Sequence, residues 1–198
     1  MEWLETIGRT LGFSLAAGVN LYATVAILGL ASRFGWVALP EQFHIFNNDW
    51  IIGLAGVLYV VEFVADKIPW VDSLWDSVHT LIRPVGGALI AVASMGDLSP
   101  GMQGVVALLG GTIAASAHVT KAGTRVAANA SPEPFSNWIL SFLGDGFVIG
   151  LAFIALQYPL IALAVSVTLL VLIVLIIRKV WKWLRGAVAP ATPPLSTG

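Results

Sequence analysis

The stretch Pro159–Ile177, PLIALAVSVTLLVLIVLII, decides the class of this protein. It is apolar apart from Ser166 and Thr168. At about 1.5 Å per residue, a helix of this length approaches the ~30 Å hydrocarbon thickness of a bilayer. It runs into Arg178, Lys179, Trp181, Lys182, Trp183 and Arg185, a basic and aromatic collar suited to a cytoplasmic headgroup layer. Beyond the collar, residues 186–198 lack periodicity and are rich in Pro and small residues, so a disordered tail is expected there. Residues 1–185 are expected to form a single transmembrane helical domain.

The rest of the chain has the same character. Of 198 residues, 58% are hydrophobic and 11% charged, against about 25% charged in a typical soluble domain. So few charges cannot coat a water-facing surface, and a lipid bilayer is the partner that composition implies. The net charge of −1 offers no basic excess for nucleic acid. There is no Cys, hence no disulfide, thiolate metal site or Cys nucleophile. Eight Trp suit the membrane interface, and twenty Gly suit close helix packing in lipid.

Five further spans are expected upstream: Leu11–Ser32, Trp50 to about Ala65, Leu81–Gly96, Met102 to about Lys121, and Asn137–Gln157. The fold class is therefore all-α, a polytopic helix bundle of about six spans. With both termini cytoplasmic, Arg9, Lys67, Arg83, Lys121, Arg125, Arg178, Lys179, Lys182 and Arg185 lie inside, and only Arg33 lies outside. A missed span would invert that distribution downstream. The first residues, MEWLETIGRTL, are not basic and precede no good cleavage site, so no signal-peptide processing is expected. The expected location is the cell inner membrane.

Trp70–Arg83 (WVDSLWDSVHTLIR) reads as an amphipathic helix. Val71, Leu74, Trp75, Val78 and Ile82 share one face, with Asp72, Asp76, His79 and Arg83 opposite. The reading is a cytoplasmic interfacial helix with a water-facing polar side, or else a re-entrant hairpin made with the short third span. The outer loop from Phe34 to Asp49 is long enough for a short surface helix. A weak internal repeat relates Val64–Lys67 to His118–Lys121, since each ends an inward span with Lys.

Ionisable groups at membrane depth cost about 2.5–3.5 kcal/mol on insertion scales, so they face partners or cavities. Glu62 and Asp66 share a helix face and form a candidate cation or proton site, or else one interhelical contact plus an Asp66 pair with Lys67 or Arg125. His118, Lys121 and Arg125 form a basic stripe that would take a phosphate or headgroup, or else snorkel to the interface. Gly144-Asp145-Gly146 sets a carboxylate between two helix-weakening glycines, as in broken transporter helices. The alternative is close packing at Gly146 and Gly150, with Asp145 paired to Lys121 or His118. Asn20 reads as an interhelical hydrogen-bonding residue whose amide also suits an ion. Asp72, Asp76 and His79 could be offered as metal ligands, but a solvated polar face is the favoured reading. No Gly-rich phosphate loop, His-Glu-x-x-His or Gly-x-Ser-x-Gly motif occurs, and no enzyme, metal or cofactor is expected.

Four motifs carry a resemblance: Gly18–Tyr22 (GVNLY), Val61–Pro69 (VEFVADKIP), Lys121–Arg125 (KAGTR) and Ser131–Asn137 (SPEPFSN). On these the chain resembles, from about residue 8 to 157, a family of small bacterial inner-membrane proteins known only as a domain of unknown function. The resemblance implies a multi-span membrane location and no established activity. Two functions follow from the residues. One is a small transporter or channel for an ion, proton or small polar solute. The other is a non-transporting scaffold, assembly factor or lipid-headgroup binder. Gly-rich faces on the first and fifth spans suit a homo-oligomer as well as internal packing.

Overall fold

The computed structural model describes residues 1–37, 39, 41–129 and 135–188. Seven α-helices follow in order among the described residues: α1 (Glu2–Val19), α2 (Leu21–Phe34), α3 (Asp49–Ala65), α4 (Pro69–Met95), α5 (Pro100–Asn129), α6 (Phe135–Gln157) and α7 (Pro159–Val188). A 3-10 turn, Glu41–Phe46, lies between α2 and α3, and no strand occurs among the described residues. Among the described residues, four helices are long and apolar enough to cross a membrane: α4, α5, α6 and α7 over Pro159–Lys182. This is an all-helical membrane protein.

The polarity is inverted relative to a water-soluble bundle. Leu54, Val57, Val60 and Val64 of α3, and Leu74, Val78, Leu81 and Leu89 of α4, all face outward. Among the described residues, seventeen polar or charged ones are buried, Ser14, Thr24, Glu62, Arg83 and Ser166 completely. Lipid tails solvate the apolar exterior, so the interior is where polar groups must find one another.

Two expectations from the sequence change here. The span Leu11–Ser32 is not one helix, because Asn20 adopts an extended backbone (φ −148°, ψ 100°) that divides it into α1 and α2. The interfacial helix Trp70–Arg83 and the short span Leu81–Gly96 are not separate elements. They form the 27-residue α4, which continues straight through Pro84. A Pro inside a helix removes one backbone hydrogen bond but does not end the helix when tertiary packing holds both sides. The polar face expected to meet water is buried: Asp72, Asp76, His79 and Arg83 are each no more than 6% exposed.

The other spans begin close to their expected starts, but α5 runs on to Asn129 and α7 through the basic collar to Val188. The tail expected from 186 thus begins inside α7, and residues 189–198 lie outside the described residues. The outer-loop expectation is met by the 3-10 turn, which is anchored by the fully buried Phe43 packing edge-on against Phe13. Asn48 then caps α3 by accepting from the amides of Trp50 and Ile51.

The short helix α1 is the centre of the bundle, with Phe13, Leu15, Ala16 and Ala17 essentially fully buried against α4, α5, α6 and α7. Small residues allow this. A Cβ on Gly18 would sit 2.3 Å from the Ala114 carbonyl oxygen, so α1 and α5 are in backbone contact there. The α4–α5 pair meets in the same way, Gly87 against Ala114 and Gly110 against Ala91. Without a hydrophobic effect between helices, such contact is a main source of association in lipid.

Gly110→Val should therefore destabilise the protein by roughly 1–3 kcal/mol through overpacking. Gly146→Ala, whose Cβ would meet nothing within 4 Å, should be neutral or slightly stabilising. Thermal unfolding of both variants in detergent checks the pair.

A buried charge network at the helix break

The break at Asn20 is built from its own amide. Asn20 Oδ1 accepts the Ala23 N–H at 2.9 Å and so caps α2. In an unbroken helix that N–H would serve the Val19 carbonyl, which is now left free. Lys121 Nζ takes its place, donating to Val19 O at 3.2 Å. Arg83 Nη1 donates to the neighbouring Gly18 carbonyl at 3.4 Å. Two cations from two other helices thus fill the gap that the break opens. The remaining Asn20 Nδ2 donates to Asp145 Oδ1 at 3.2 Å.

From this point a chain of ion pairs extends toward the end where α3 turns into α4. Glu62 Oε1 accepts from Arg83 Nη2 at 2.8 Å and from Lys121 Nζ at 3.2 Å. Lys121 also reaches Asp66 Oδ2 at 3.2 Å, and Arg125 Nη2 meets the same oxygen at 2.8 Å. Arg125 Nη1 donates to the backbone carbonyls of Asp66 at 2.6 Å and Asn137 at 3.3 Å. Asp76 lies 3.3 Å from Arg83, and Asp72 lies 4.0 Å from Arg125.

Hydrogen bonds set the tautomers of both buried histidines. Arg83 donates to His118 Nδ1 at 2.7 Å, so that nitrogen carries no proton. The Thr80 hydroxyl proton goes to the Asp76 carbonyl, so His118 Nε2–H donates to Thr80 Oγ1. His118 is neutral. His79 Nδ1 faces the Trp75 carbonyl at 2.7 Å and must donate, leaving Nε2 to accept from the Tyr22 hydroxyl.

Lys67, in the turn after α3, points away from this network. Its Nζ lies over the Phe63 ring, 3.0 Å from the centroid, and donates to Phe63 O and Ser141 Oγ. Burial lowers its pKa, partly opposed by the charges of Asp145 and Asp66.

The structure thus brings together Asn20, Glu62, Asp66, His118, Lys121, Arg125 and Asp145. It separates Lys67, which pairs with neither Asp66 nor any other carboxylate among the described residues. Of the two partners offered for Asp66, the structure shows Arg125, and Glu62 makes its interhelical contacts to Lys121 and Arg83. Asp145 pairs with Asn20 rather than with Lys121 or His118, and α6 is unbroken through Gly144-Asp145-Gly146. A continuous helix there needs no special backbone, because flanking glycines lower helix propensity without forbidding it. Close packing at Gly146 and Gly150 is also absent, since a Cβ at either would meet nothing within 4 Å. The basic stripe is turned inward onto carboxylates, which leaves it few donors for a phosphate.

Sequence reasoning missed Arg83, Asp72, Asp76 and His79 as members of the site. The signal was present. The buried stripe Asp72, Asp76, His79, Arg83, Gly87, Ile90 and Ser94 keeps one helical phase across Pro84. A cavity of about 380 Å³ lies between α1, α5, α6 and α7, lined by residues including Val19, Lys121, Arg125 and Phe147. Among the described residues, no group of three or more His, Asp or Glu side chains is placed to hold a metal ion.

With the geometry in place, the comparison with known sequences is direct. The family described as "Domain of unknown function (DUF4126)" matches residues 7–179. The chain belongs to that family. The match extends through most of α7, beyond the limit near residue 157 that the motifs suggested. It spans both halves of the broken helix and every member of the charge network. No curated protein and no solved structure matches the chain.

Arg83 is the most connected group in the network. Arg83→Met should leave Asp76 without its cation and Glu62 with Lys121 alone, and cost about 3–5 kcal/mol. Asn20→Ala removes an N-cap and should cost about 0.5–2 kcal/mol. Melting temperatures of the two purified variants in detergent should fall in that order.

Proposed function

We propose that this DUF4126 protein is a small transporter or channel for an ion, proton or small polar solute, with its site at the Asn20 break. The observation that carries this reading is the helix interruption itself. Broken helices beside buried charge are the usual way in which transporters place polar backbone within a membrane. Here the break adjoins Asp145 and Glu62, each with one carboxylate oxygen that has no hydrogen-bond partner.

In the same proposal the chain crosses the inner membrane six times, α1 and α2 together making the first crossing. Both termini are cytoplasmic. Arg83 and Arg125 are buried and the Lys121 side chain is only 11% exposed, so the three do not count as loop charges. Arg9, Lys67, Arg178, Lys179, Lys182 and Arg185 still stand against Arg33, which supports the orientation.

A second reading has its own support. Glu62, Asp66, Lys121 and Arg125 are mutually paired, and the cavity beside them is lined by neither Glu62 nor Asp145. This suits a scaffold, assembly factor or lipid-headgroup-binding protein whose charges hold the bundle together.

Flux measurements in proteoliposomes separate the two. Transport predicts that Glu62→Gln and Asp145→Asn each lower flux by roughly tenfold or more, about 1.4 kcal/mol on a barrier. The scaffold reading predicts no flux from the wild type. It also predicts that Glu62→Lys with Lys121→Glu recovers the stability that either change alone removes.

A further inference from the structure

The charges of the buried network do not balance. Glu62, Asp66, Asp72, Asp76 and Asp145 are five buried carboxylates, facing Arg83, Lys121 and Arg125. With both histidines bonded as neutral rings, two negative charges are in excess. An uncompensated charge in a low-dielectric interior is costly, so it either binds a cation or takes up a proton.

The carboxylates are not equivalent. Glu62, Asp66 and Asp76 each have a cation within 3.3 Å. Both Asp72 oxygens are buried without a hydrogen-bond partner, but Asp72 lies in the first turn of α4, where the helix N-terminus favours its anion, with the Arg125 charge at 4.0 Å. Asp145 sits in the middle of α6 and is 7% exposed, with only the neutral Asn20 amide as partner. Its Oδ2 is buried and has no hydrogen-bond partner. The charged and titratable groups around it are Glu62 and Tyr59 of α3, Asp66 and Lys67 of the turn, and Lys121 of α5. From α7, the segment Pro159–Ile177 contributes none.

A metal cation is disfavoured by the oxygens present. Broken helices hold alkali ions through freed carbonyls and side-chain oxygens. Here the Gly18 and Val19 carbonyls are taken by Arg83 and Lys121, and Asn20 Oδ1 is taken by the Ala23 amide. The break offers Asp145 a donor and no coordinating oxygen.

We infer that Asp145 is a proton-binding site, protonated at neutral pH in the closed bundle and loaded from the α3–α4 turn by way of Lys67 and Ser141. Ser141 lies one turn before Asp145 on the same buried face of α6, and Lys67 Nζ donates to its oxygen at 3.3 Å. Lys67 is the partly exposed group at the head of this line. The Ser141 hydroxyl does not touch Asp145 Oδ2 in this closed bundle. Once it rotates toward that oxygen, a proton leaving the Lys67 ammonium passes to the Ser141 oxygen as the Ser141 hydroxyl proton moves to Asp145 Oδ2. The resulting neutral amine is reprotonated from water. On the transport reading, which this deepens, the coupled ion is a proton.

Infrared difference spectroscopy of the full chain in lipid nanodiscs, across a pH jump, tests the site directly. The expected result is a protonated carboxyl C=O band at neutral pH that Asp145→Asn abolishes and Asp72→Asn retains. Asp145→Glu should move the band, and this reads the same site if Asp145→Asn does not fold. Lys67→Met should slow the response of the band to the jump. Absence of the band in the wild type, or its persistence in Asp145→Asn, overturns the inference. So does its loss on adding sodium at constant pH, which would mean that a metal cation fills the site. An unchanged rate in Lys67→Met overturns the loading route. An intact band in a protein that shows no flux leaves the proton site standing and defeats only transport.

Discussion

Arg83 meeting Glu62 at 2.8 Å, both with fully buried side chains, is the contact on which the rest of the arrangement depends. A guanidinium inside a membrane protein is tolerated only if its donors are engaged and its charge is matched. Arg83 engages Nη1 and Nη2 by drawing α1, α3 and α5 to itself through the Gly18 carbonyl, Glu62 and His118, while its Nε has no hydrogen-bond partner. Its partner Glu62 in turn holds Lys121, and Lys121 holds Asp66 and the Val19 carbonyl. Each link satisfies a group that its predecessor left incomplete. Small residues at Gly18, Gly87 and Gly110 let the helices come close enough to form these links.

The helix break and the network explain one another. An isolated break at Asn20 would expose two carbonyls to an interior without water, a cost of several kcal/mol. An isolated Lys121 would be an unpaired buried ammonium. Together they are compatible, because carbonyl oxygens accept what the cations must donate. Asn20 makes the junction possible with one side chain, its oxygen capping α2 and its nitrogen holding Asp145. The same economy leaves Asp145 and Glu62 each with an unpartnered oxygen. Oxygens of Asp72, Asp76 and Asn137 are likewise without a hydrogen-bond partner, so packing leaves several acceptors of the network incomplete.

Much was legible before any coordinates. Membrane residence followed from composition, since a chain with so few charges has no other way to cover its surface. The facing of Glu62 with Asp66, and of His118 with Lys121 and Arg125, followed from helical periodicity. The error at Trp70–Arg83 has a physical cause. Amphipathicity reports that two faces differ and does not say which of them meets the solvent. In water the polar face turns out; in lipid, with partners available, it turns in.

By itself the sequence determined the helical class, the boundaries of most helices and the set of ionisable groups that must find partners within the bundle. These depend on local spacing, and on transfer energies that each residue carries wherever it sits. Tertiary structure alone decided which partners they found: Asp145 with Asn20 rather than Lys121, and Lys67 turned away while Arg83 joined. It also decided that the first span breaks at Asn20 while the Gly-Asp-Gly segment stays helical. Pairing depends on distances between helices far apart in the chain, and a break persists only where other helices supply the hydrogen bonds it gives up. No local pattern encodes either condition.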